Sequence, residues 1–216
     1  MCHECIDYQP KLLKTLAFII SSLFVITSYS RDLHLEPMLG SKSIELHKPI
    51  IYGDDTVKIT TFKLYISFQH KSHYPTYLFD IEKTPSCTIP EHSERLQFGI
   101  DSMQTINTDF SGALDPIHGM FWTWNAGYIN CKIEGIFTHA NNVRTEFQLH
   151  LGGYRFPHAT AHVMNIPKGK KDIQIEIDIK PALDQMMKEG KQRIMMPGKD
   201  AKVLSDLLYS SIRISY

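Results

Sequence analysis

The chain has 216 residues, a length that suits one domain, and its 43% hydrophobic and 21% charged content is typical of a globular protein. It carries 23 basic and 23 acidic residues, so its formal net charge is zero. The sequence has no basic stripe of the kind that phosphate binding needs, which argues against a nucleic-acid partner.

The first thirty residues have the pattern of a secretory signal peptide. Two lysines precede an apolar run of twelve residues, 16–27, and Ser28-Tyr29-Ser30 places small residues at the −3 and −1 positions of a cleavage site. The run is too short for a good membrane span. We therefore predict a signal peptide over residues 1–30 and a periplasmic or secreted mature domain over residues 31–216, with no stable membrane span. An uncleaved N-terminal anchor is the alternative.

Cysteine usage follows from the predicted export. Cys2 and Cys5 form a C-x-x-C pair inside the leader, without a partner pair, so we discount them as half of a zinc site. The mature chain keeps Cys87 and Cys131, and an exported protein permits a disulfide between them. Cys131 alternates with two isoleucines on a predicted buried face, so a free, packed thiol is the alternative.

The mature chain reads as all-β with a helical tail. Strand signals are short runs of alternating apolar and polar residues between turn signals. In chain order, the predicted strands are 33–36, 44–47, 57–70, 77–81, 96–100, 129–135, 144–151, 161–166, 173–179 and 211–216. Helices are predicted at 182–189, after Pro181 and before Gly190, and at 199–209. The pattern predicts an antiparallel β-sandwich or barrel with short C-terminal helices.

Within the longest predicted strand, apolar residues at every second position from Phe62 to Phe68 mark the core face. The same alternation places Ile59 and Tyr65 on the opposite face. Two prolines bracket a predicted loop at residues 85–90, and residues 101–116 are predicted to form a polar loop.

Both tryptophans of the chain lie close together in the segment Gly119–Tyr128. Side chains two apart in a strand share a face, so Trp122 and Trp124 are predicted to point the same way. An aromatic pair is ordinary core material, which makes packing one interpretation and a functional site the other.

The chain has eleven histidines, a high count for its length. Imidazole is a ligand suited to copper and zinc. His150 stands out because it lies on a predicted strand just before Gly152-Gly153. His118 is a second candidate because it lies four residues before Trp122. The sequence contains no H-E-x-x-H, G-x-S-x-G, P-loop or dinucleotide motif, so no enzyme class is indicated and we expect a non-enzymatic protein.

The W-x-W block with its glycines, residues 119–128, is followed by H-L-G-G at 150–153. The flanking segments that match in the same order are 62–67, 78–80, 98–102, 111–116, 132–135 and 147–154. On these motifs the chain resembles the MbnP-like family of exported bacterial copper-binding proteins, found near methanobactin genes and also far from them. This family is related in chemistry to the MopE/CorA-type kynurenine copper proteins, and the resemblance covers most of the mature chain.

The resemblance implies a copper site, Cu(I) or Cu(II), in which histidine is joined by kynurenine, an oxidised tryptophan. An indole nitrogen is a poor ligand because its lone pair belongs to the ring, whereas opening of the pyrrole ring leaves an aromatic amine that can bind metal. Carried over by motif, His150 is the ligand, and Trp122 or Trp124 is the modified residue. In relatives the oxidation is ascribed to a partner dihaem protein of the MauG/peroxidase type.

The chain departs from the family pattern at one place. Many relatives have a histidine in the first mature strand, where this chain reads Leu35-Glu36-Pro37-Met38. His34 and His118 are therefore candidates to replace that ligand.

Three further residues are expected to line the site, namely Met120, Asp115 and Tyr128. The alternative is a non-metal β-sandwich module for interaction or ligand binding, which keeps the fold and uses the tryptophans as packing or as a stacking platform. Geometry separates the two hypotheses. A tryptophan and a second histidine near His150 favour copper, whereas two indoles sealed in an apolar core away from His150 favour the module.

Overall fold

The structure, a computed structural model, describes residues 30–68, 75–169 and 171–216. Apart from Ser30, the predicted signal peptide lies outside the described residues. The strands, in chain order, are β1 Ser30–Leu39, β2 Lys42–Ser43, β3 Pro49–Tyr52, β4 Asp55–Phe68, β5 Thr76–Asp80, β6 Ser86–Pro90, β7 Arg95–Phe98, β8 Phe121–Thr123, β9 Gly127–Thr138, β10 Arg144–Gly152, β11 His162–Asn165, β12 Ile173–Asp178, β13 Arg193–Ile194 and β14 Ile212–Ser215. The α-helices are α1 Ser102–Ile106, α2 Lys180–Glu189 and α3 Lys199–Ser210, and two 3-10 turns span Gly112–Leu114 and Pro116–His118.

The strands form two sheets. The five-stranded sheet has the order β14–β12–β1–β2, with β6 also paired to β1. The nine-stranded sheet has the order β11–β7–β4–β9–β10–β13, with β3 and β5 paired to β4 and β8 paired to β9. Most neighbours are antiparallel, but β1 runs parallel to β12 and β10 runs parallel to β13. The predicted β-sandwich with short C-terminal helices is confirmed. The sheets are not purely antiparallel as predicted, because the two parallel pairs make both of them mixed.

One apolar core joins the two sheets and the C-terminal helices. The core includes side chains from both sheets and from α3. Examples are Leu33 and Ile175 of the five-stranded sheet, Phe62 and Leu149 of the nine-stranded sheet, and Leu204 of α3. Every second residue of β12 is buried, as its strict sequence alternation predicts. Full burial of a side chain of this size contributes about 1.5–3 kcal/mol, so this shared core is what fixes the two sheets together.

The core face of β4 changes position along the strand. Its pairing with β9 shifts in register between Ile59 and Thr61, as at a β-bulge. One extra residue moves the alternation by one position, so Ile59 and Phe62 are both fully buried. The prediction that Ile59 lies on the face opposite the core is therefore wrong. Tyr65, expected on that same face, is also fully buried, because a second apolar cluster covers this part of the sheet.

Three local predictions are wrong. Residues 44–47 leave the sheet and turn instead of forming a strand. The stretch predicted as a loop between two prolines contains β6, whose backbone pairs with β1. The predicted polar loop after β7 contains α1, which begins with a capping box in which Asp101 and Gln104 bond each other's backbone. This Asp-x-x-Gln pair is a sequence signal for a helix start.

Cys87 and Cys131 are free thiols and lie in different sheets, on β6 and β9. Burial raises the pKa of each thiol to about 12, so both stay protonated near neutral pH. The free-thiol alternative is the one that the structure shows. In the part of the chain that the structure describes, no helix has the length and apolar character that crossing a bilayer requires.

Candidate functional site

The tryptophan-bearing segment forms a tight hairpin between β8 and β9. β8 ends at Thr123, residues 124–126 form the turn, and Gly127 opens β9 with a φ of +76° that favours glycine. Trp124 therefore lies in the turn and not on the strand. The prediction that Trp122 and Trp124 share one strand face is wrong, because strand alternation stops before Trp124.

Trp122 packs against the end of β10. A Cβ atom added at Gly152 would lie 2.8 Å from Cζ3 of the Trp122 ring and 2.2 Å from the carbonyl oxygen of Tyr128, so glycine is required there. Gly152 is two residues after His150 on the same strand. The hairpin thus brings the half-buried indole of Trp122 to the strand end that carries His150.

Trp124 has a different environment. The residue is 70% exposed, and its indole meets the ring of Phe110 edge-on at a centroid distance of 4.8 Å. A second perpendicular contact joins it to Phe121 at 6.4 Å. The two tryptophans are therefore neither sealed together in the core nor placed together beside His150.

A second apolar cluster lies beneath the hairpin and contains two of the expected site-lining residues. Met120 is fully buried in it, and Tyr128 is 2% exposed. The Tyr128 hydroxyl donates to the carbonyl oxygen of Leu114 at 2.9 Å, and the Tyr65 hydroxyl donates to that of Ala113 at the same distance. These residues hold the preceding 3-10 turn against the sheet, which is a supporting role for the hairpin.

Asp115, the third residue expected to line the site, caps the second 3-10 turn. Its carboxylate accepts a hydrogen bond from the backbone N–H of Ile117 at 2.9 Å. An acceptor at this position satisfies a backbone donor that has no partner within the turn. The observed role of Asp115 is therefore local and structural.

His150 is buried and has a carboxylate partner. Its Nε2 lies 2.7 Å from Oε1 of Glu134 on the neighbouring strand β9, and the residue is 6% exposed. Glu134 also accepts from the Thr61 hydroxyl at 3.1 Å and lies 3.6 Å from Nζ of Lys132. With Nε2 bonded to Glu134, Nδ1 is the ring nitrogen of His150 that is left for another ligand.

The charges around His150 favour the neutral imidazole. Burial lowers the pKa of His150, the Glu134 hydrogen bond opposes this shift, and the charge of Lys132 adds to it. Burial alone would raise the pKa of Glu134, but hydrogen bonds from His150 and Thr61 and the charge of Lys132 together lower it. Near neutral pH the imidazole therefore donates Nε2–H to a carboxylate, and the lone pair of Nδ1 is available. Neutral imidazole is the form that binds metal.

The other two histidines proposed as ligands lie elsewhere in the fold. His34 is exposed on β1 of the five-stranded sheet. His118 is exposed on the second 3-10 turn, with Nε2 2.9 Å from the carbonyl oxygen of Gly112. Within residues 30–68, 75–169 and 171–216, no group of three or more His, Cys, Asp or Glu side chains is placed to hold a metal ion. The structure therefore does not assemble His34, His118 and His150 into one ligand set, and neither His34 nor His118 is the second histidine that the copper hypothesis expects near His150.

Glu134 is the residue at this site that the sequence analysis did not name. Its only sequence signal is its position on the outward face of a strongly alternating strand, where a carboxylate is ordinary. The pairing becomes visible only from the register of β9 and β10, in which Lys132 lies opposite His150 and Glu134 lies opposite Gln148. Diagonal neighbours of this kind are within reach of long side chains.

Comparison with known proteins gives a family. The family model described as MbnP matches residues 29–197. No curated protein matches the chain. Among solved structures, MbnP from Methylosinus trichosporium is similar at 14% sequence identity and a TM-score of 0.49, over 72% of this chain and 77% of that chain. Because the family model covers well over half of the 216 residues, the chain belongs to the MbnP family.

Proposed function

We propose that this chain is an exported, non-enzymatic copper-binding protein that holds copper through His150 and a kynurenine formed from Trp122. Membership of the MbnP family supports the proposal. The observation that carries it is the His150–Glu134 pair, 2.7 Å apart, on the strand whose end packs against Trp122.

The contacts of His150 fit a metal ligand. A histidine that binds metal through one ring nitrogen usually donates its other N–H to a carboxylate, which fixes the tautomer and the ring orientation. Glu134 is placed to do this for His150 through Nε2. Copper would then be bound through Nδ1, and imidazole nitrogen suits either oxidation state of the metal.

Trp122 is the better candidate than Trp124 for the modified residue. Its ring packs on the end of the strand that carries His150, whereas Trp124 lies in the turn and is 70% exposed. Oxidation to kynurenine cleaves the C2–C3 bond of the indole and adds two oxygen atoms, for which dioxygen or a peroxide is the oxidant. Water then hydrolyses the resulting N-formyl group and releases C2 as formate. The indole nitrogen remains as the aromatic amine that would bind copper. A dihaem protein of the MauG/peroxidase type is the proposed oxidising partner.

The export part of the proposal rests on the leader. The two lysines, the apolar run after them and the small residues of Ser28-Tyr29-Ser30 predict removal of residues 1–30 and a periplasmic or secreted mature chain. The mature chain would then bind copper outside the cytoplasm, in a compartment where an oxidising partner can also act.

The test is to purify a His150→Gln variant from its native host in the presence of copper and to measure its copper binding and melting temperature. Glutamine can still donate a hydrogen bond to Glu134 but gives copper no imidazole, so we expect loss of tight copper binding with a melting temperature close to that of the wild type. His150→Ala would confuse the two effects, because the loss of the His150 hydrogen bond to the half-buried Glu134 costs about 1–3 kcal/mol of stability.

The matched control is His118→Gln, which removes an exposed imidazole outside the proposed site. This variant protein should bind copper as the wild type does. Full copper loading of His150→Gln would remove His150 from the site. A wild-type protein that binds no copper would favour the alternative, a non-metal interaction module, for which the exposed indole of Trp124 is the supporting observation.

A further inference from the structure

A surface beside the tryptophan hairpin combines exposed aromatic side chains with an arginine. We define the aromatic–arginine surface as Trp124, Tyr154, Arg155 and Phe156. Phe156 is 95% exposed and Trp124 is 70% exposed. Trp, Tyr and Arg are the residue types that dominate the binding energy of protein–protein interfaces. Neighbouring exposed apolar side chains of this size indicate an interaction site.

The surface is held in place by hydrogen bonds between its two segments. The Tyr154 hydroxyl donates to the carbonyl oxygen of Trp124 at 3.3 Å and accepts from Nε of Arg155 at 3.0 Å. The guanidinium carbon of Arg155 lies 5.1 Å from the centre of the Tyr154 ring. Side chains fixed before binding lose less conformational entropy on binding, so this order favours association.

A cavity of about 130 Å³ adjoins this surface and is lined by three of its four residues, Tyr154, Arg155 and Phe156. Its walls are Asn125 and Ala126 of the hairpin turn, the loop residues 153–156, His158 and Pro197. Pockets that bind small molecules usually begin at about 300 Å³, so this cavity is too small for such a ligand. It suits a single apolar side chain presented by a protein partner.

The charge of the surface indicates what the partner carries. Arg155 is exposed and forms no ion pair with any of the described residues. The cavity walls include Arg155 and His158 but no carboxylate. Interfaces pair complementary charges, so the partner is expected to present acidic side chains around an apolar one.

We propose that the redox protein that oxidises Trp122 docks on the aromatic–arginine surface, with its carboxylates facing Arg155 and an apolar side chain in the cavity. The inference rests on the proposed function, since it names the docking site of the partner that the proposed function requires. Trp122 is half buried against Gly152 and two residues from Trp124, so a protein docked on this surface sits next to the residue to be oxidised.

The test expresses each variant in native host cells from which the host's own copy of the gene has been removed. After induction of the variant, peptide mass spectrometry measures the initial rate of kynurenine formation at Trp122. Arg155→Glu reverses the charge that the partner meets, and Phe156→Ser removes the most exposed apolar side chain. Each variant should form kynurenine about tenfold more slowly than the wild type, mainly through slower association in the first case. Arg155→Lys keeps the charge and should retain most of the rate.

Matched controls lie away from the surface. Arg144→Glu reverses an exposed arginine at the opposite end of β10, and Ile51→Ser removes an apolar side chain on β3 that is 68% exposed. Both should form kynurenine at the wild-type rate. Equal rates in the wild type, Arg155→Glu and Phe156→Ser would overturn the docking surface while leaving the proposed function standing. A wild-type chain that forms no kynurenine would overturn the proposed function, and the docking surface with it.

Discussion

At the residue scale, one buried and one half-buried histidine lie beside carboxylates but have lowered pKa values. His150 bonds Glu134, and Nε2 of His162 lies 3.0 Å from Oδ1 of Asp206. Burial is the largest cause of each lowered pKa, and the charge of Lys132 or Lys202 adds to it, so that the two together outweigh the nearby carboxylate. Both imidazoles are therefore neutral in the folded protein near neutral pH. For His150 this is also the state that binds metal.

Folding stability is expected to fall as the pH is lowered from about 7.5 to about 5.5. The ordinary histidine value of 6.5 applies to the unfolded chain, while burial holds the folded pKa of both histidines below it. The unfolded chain then binds more protons than the folded one in this window, so acidification favours unfolding. Urea unfolding of the metal-free protein at the two pH values measures this directly.

The control for this prediction is the double variant His150→Gln and His162→Gln. Its free energy of unfolding should change less between the two pH values than that of the wild type. A wild-type stability that rises on acidification, or an unchanged dependence in the double variant, would contradict the assignment of both histidines as neutral in the folded protein.

At the scale of elements, the site depends on how the β8–β9 hairpin packs on the end of β10. The two elements meet at Gly152, where the pairing of β10 with β9 also shifts in register. The sequence predicted the strands β9 and β10 and the end of β10 at the glycine pair. It did not predict that β8 ends before Trp124, because a three-residue strand and its turn look like a continuing alternation.

The junction can be tested with Gly152→Ala. The added Cβ would meet the Tyr128 carbonyl oxygen at 2.2 Å, and backbone cannot yield as a flexible side chain can. We expect a loss of about 1–3 kcal/mol in the free energy of unfolding, as for other overpacked sites. Chemical denaturation measures it. The near-ultraviolet spectrum of Trp122 should change as well.

Gly198→Ala is the matched control, because a Cβ at Gly198 meets nothing within 4 Å and the residue has an extended backbone that other residues adopt. It should cost less than about 1 kcal/mol. Equal stability of Gly152→Ala and the wild type would show that the hairpin does not pack against β10 in the way described.

At the scale of the whole molecule, sequence periodicity predicted what depends on local pattern. The long strands, the helices α2 and α3 and the shared apolar core all follow from alternation and turn signals. The bulge in β4 and the parallel pairing of β1 with β12 do not, because they depend on which distant strands become neighbours. The role of Glu134 was not predicted for the same reason, because its hydrogen bond to His150 forms only when β9 and β10 pair.

The most direct test of the central claim is electron–nuclear double resonance on the Cu(II) protein from native host cells fed tryptophan labelled with nitrogen-15 on the indole nitrogen. Kynurenine keeps this nitrogen as its aromatic amine. If copper is bound by His150 and by kynurenine from Trp122, the spectrum should show strong nitrogen-15 coupling, and Trp122→Phe should abolish it while Trp124→Phe should not. A copper centre that couples only to unlabelled nitrogen in the wild-type protein would contradict the claim.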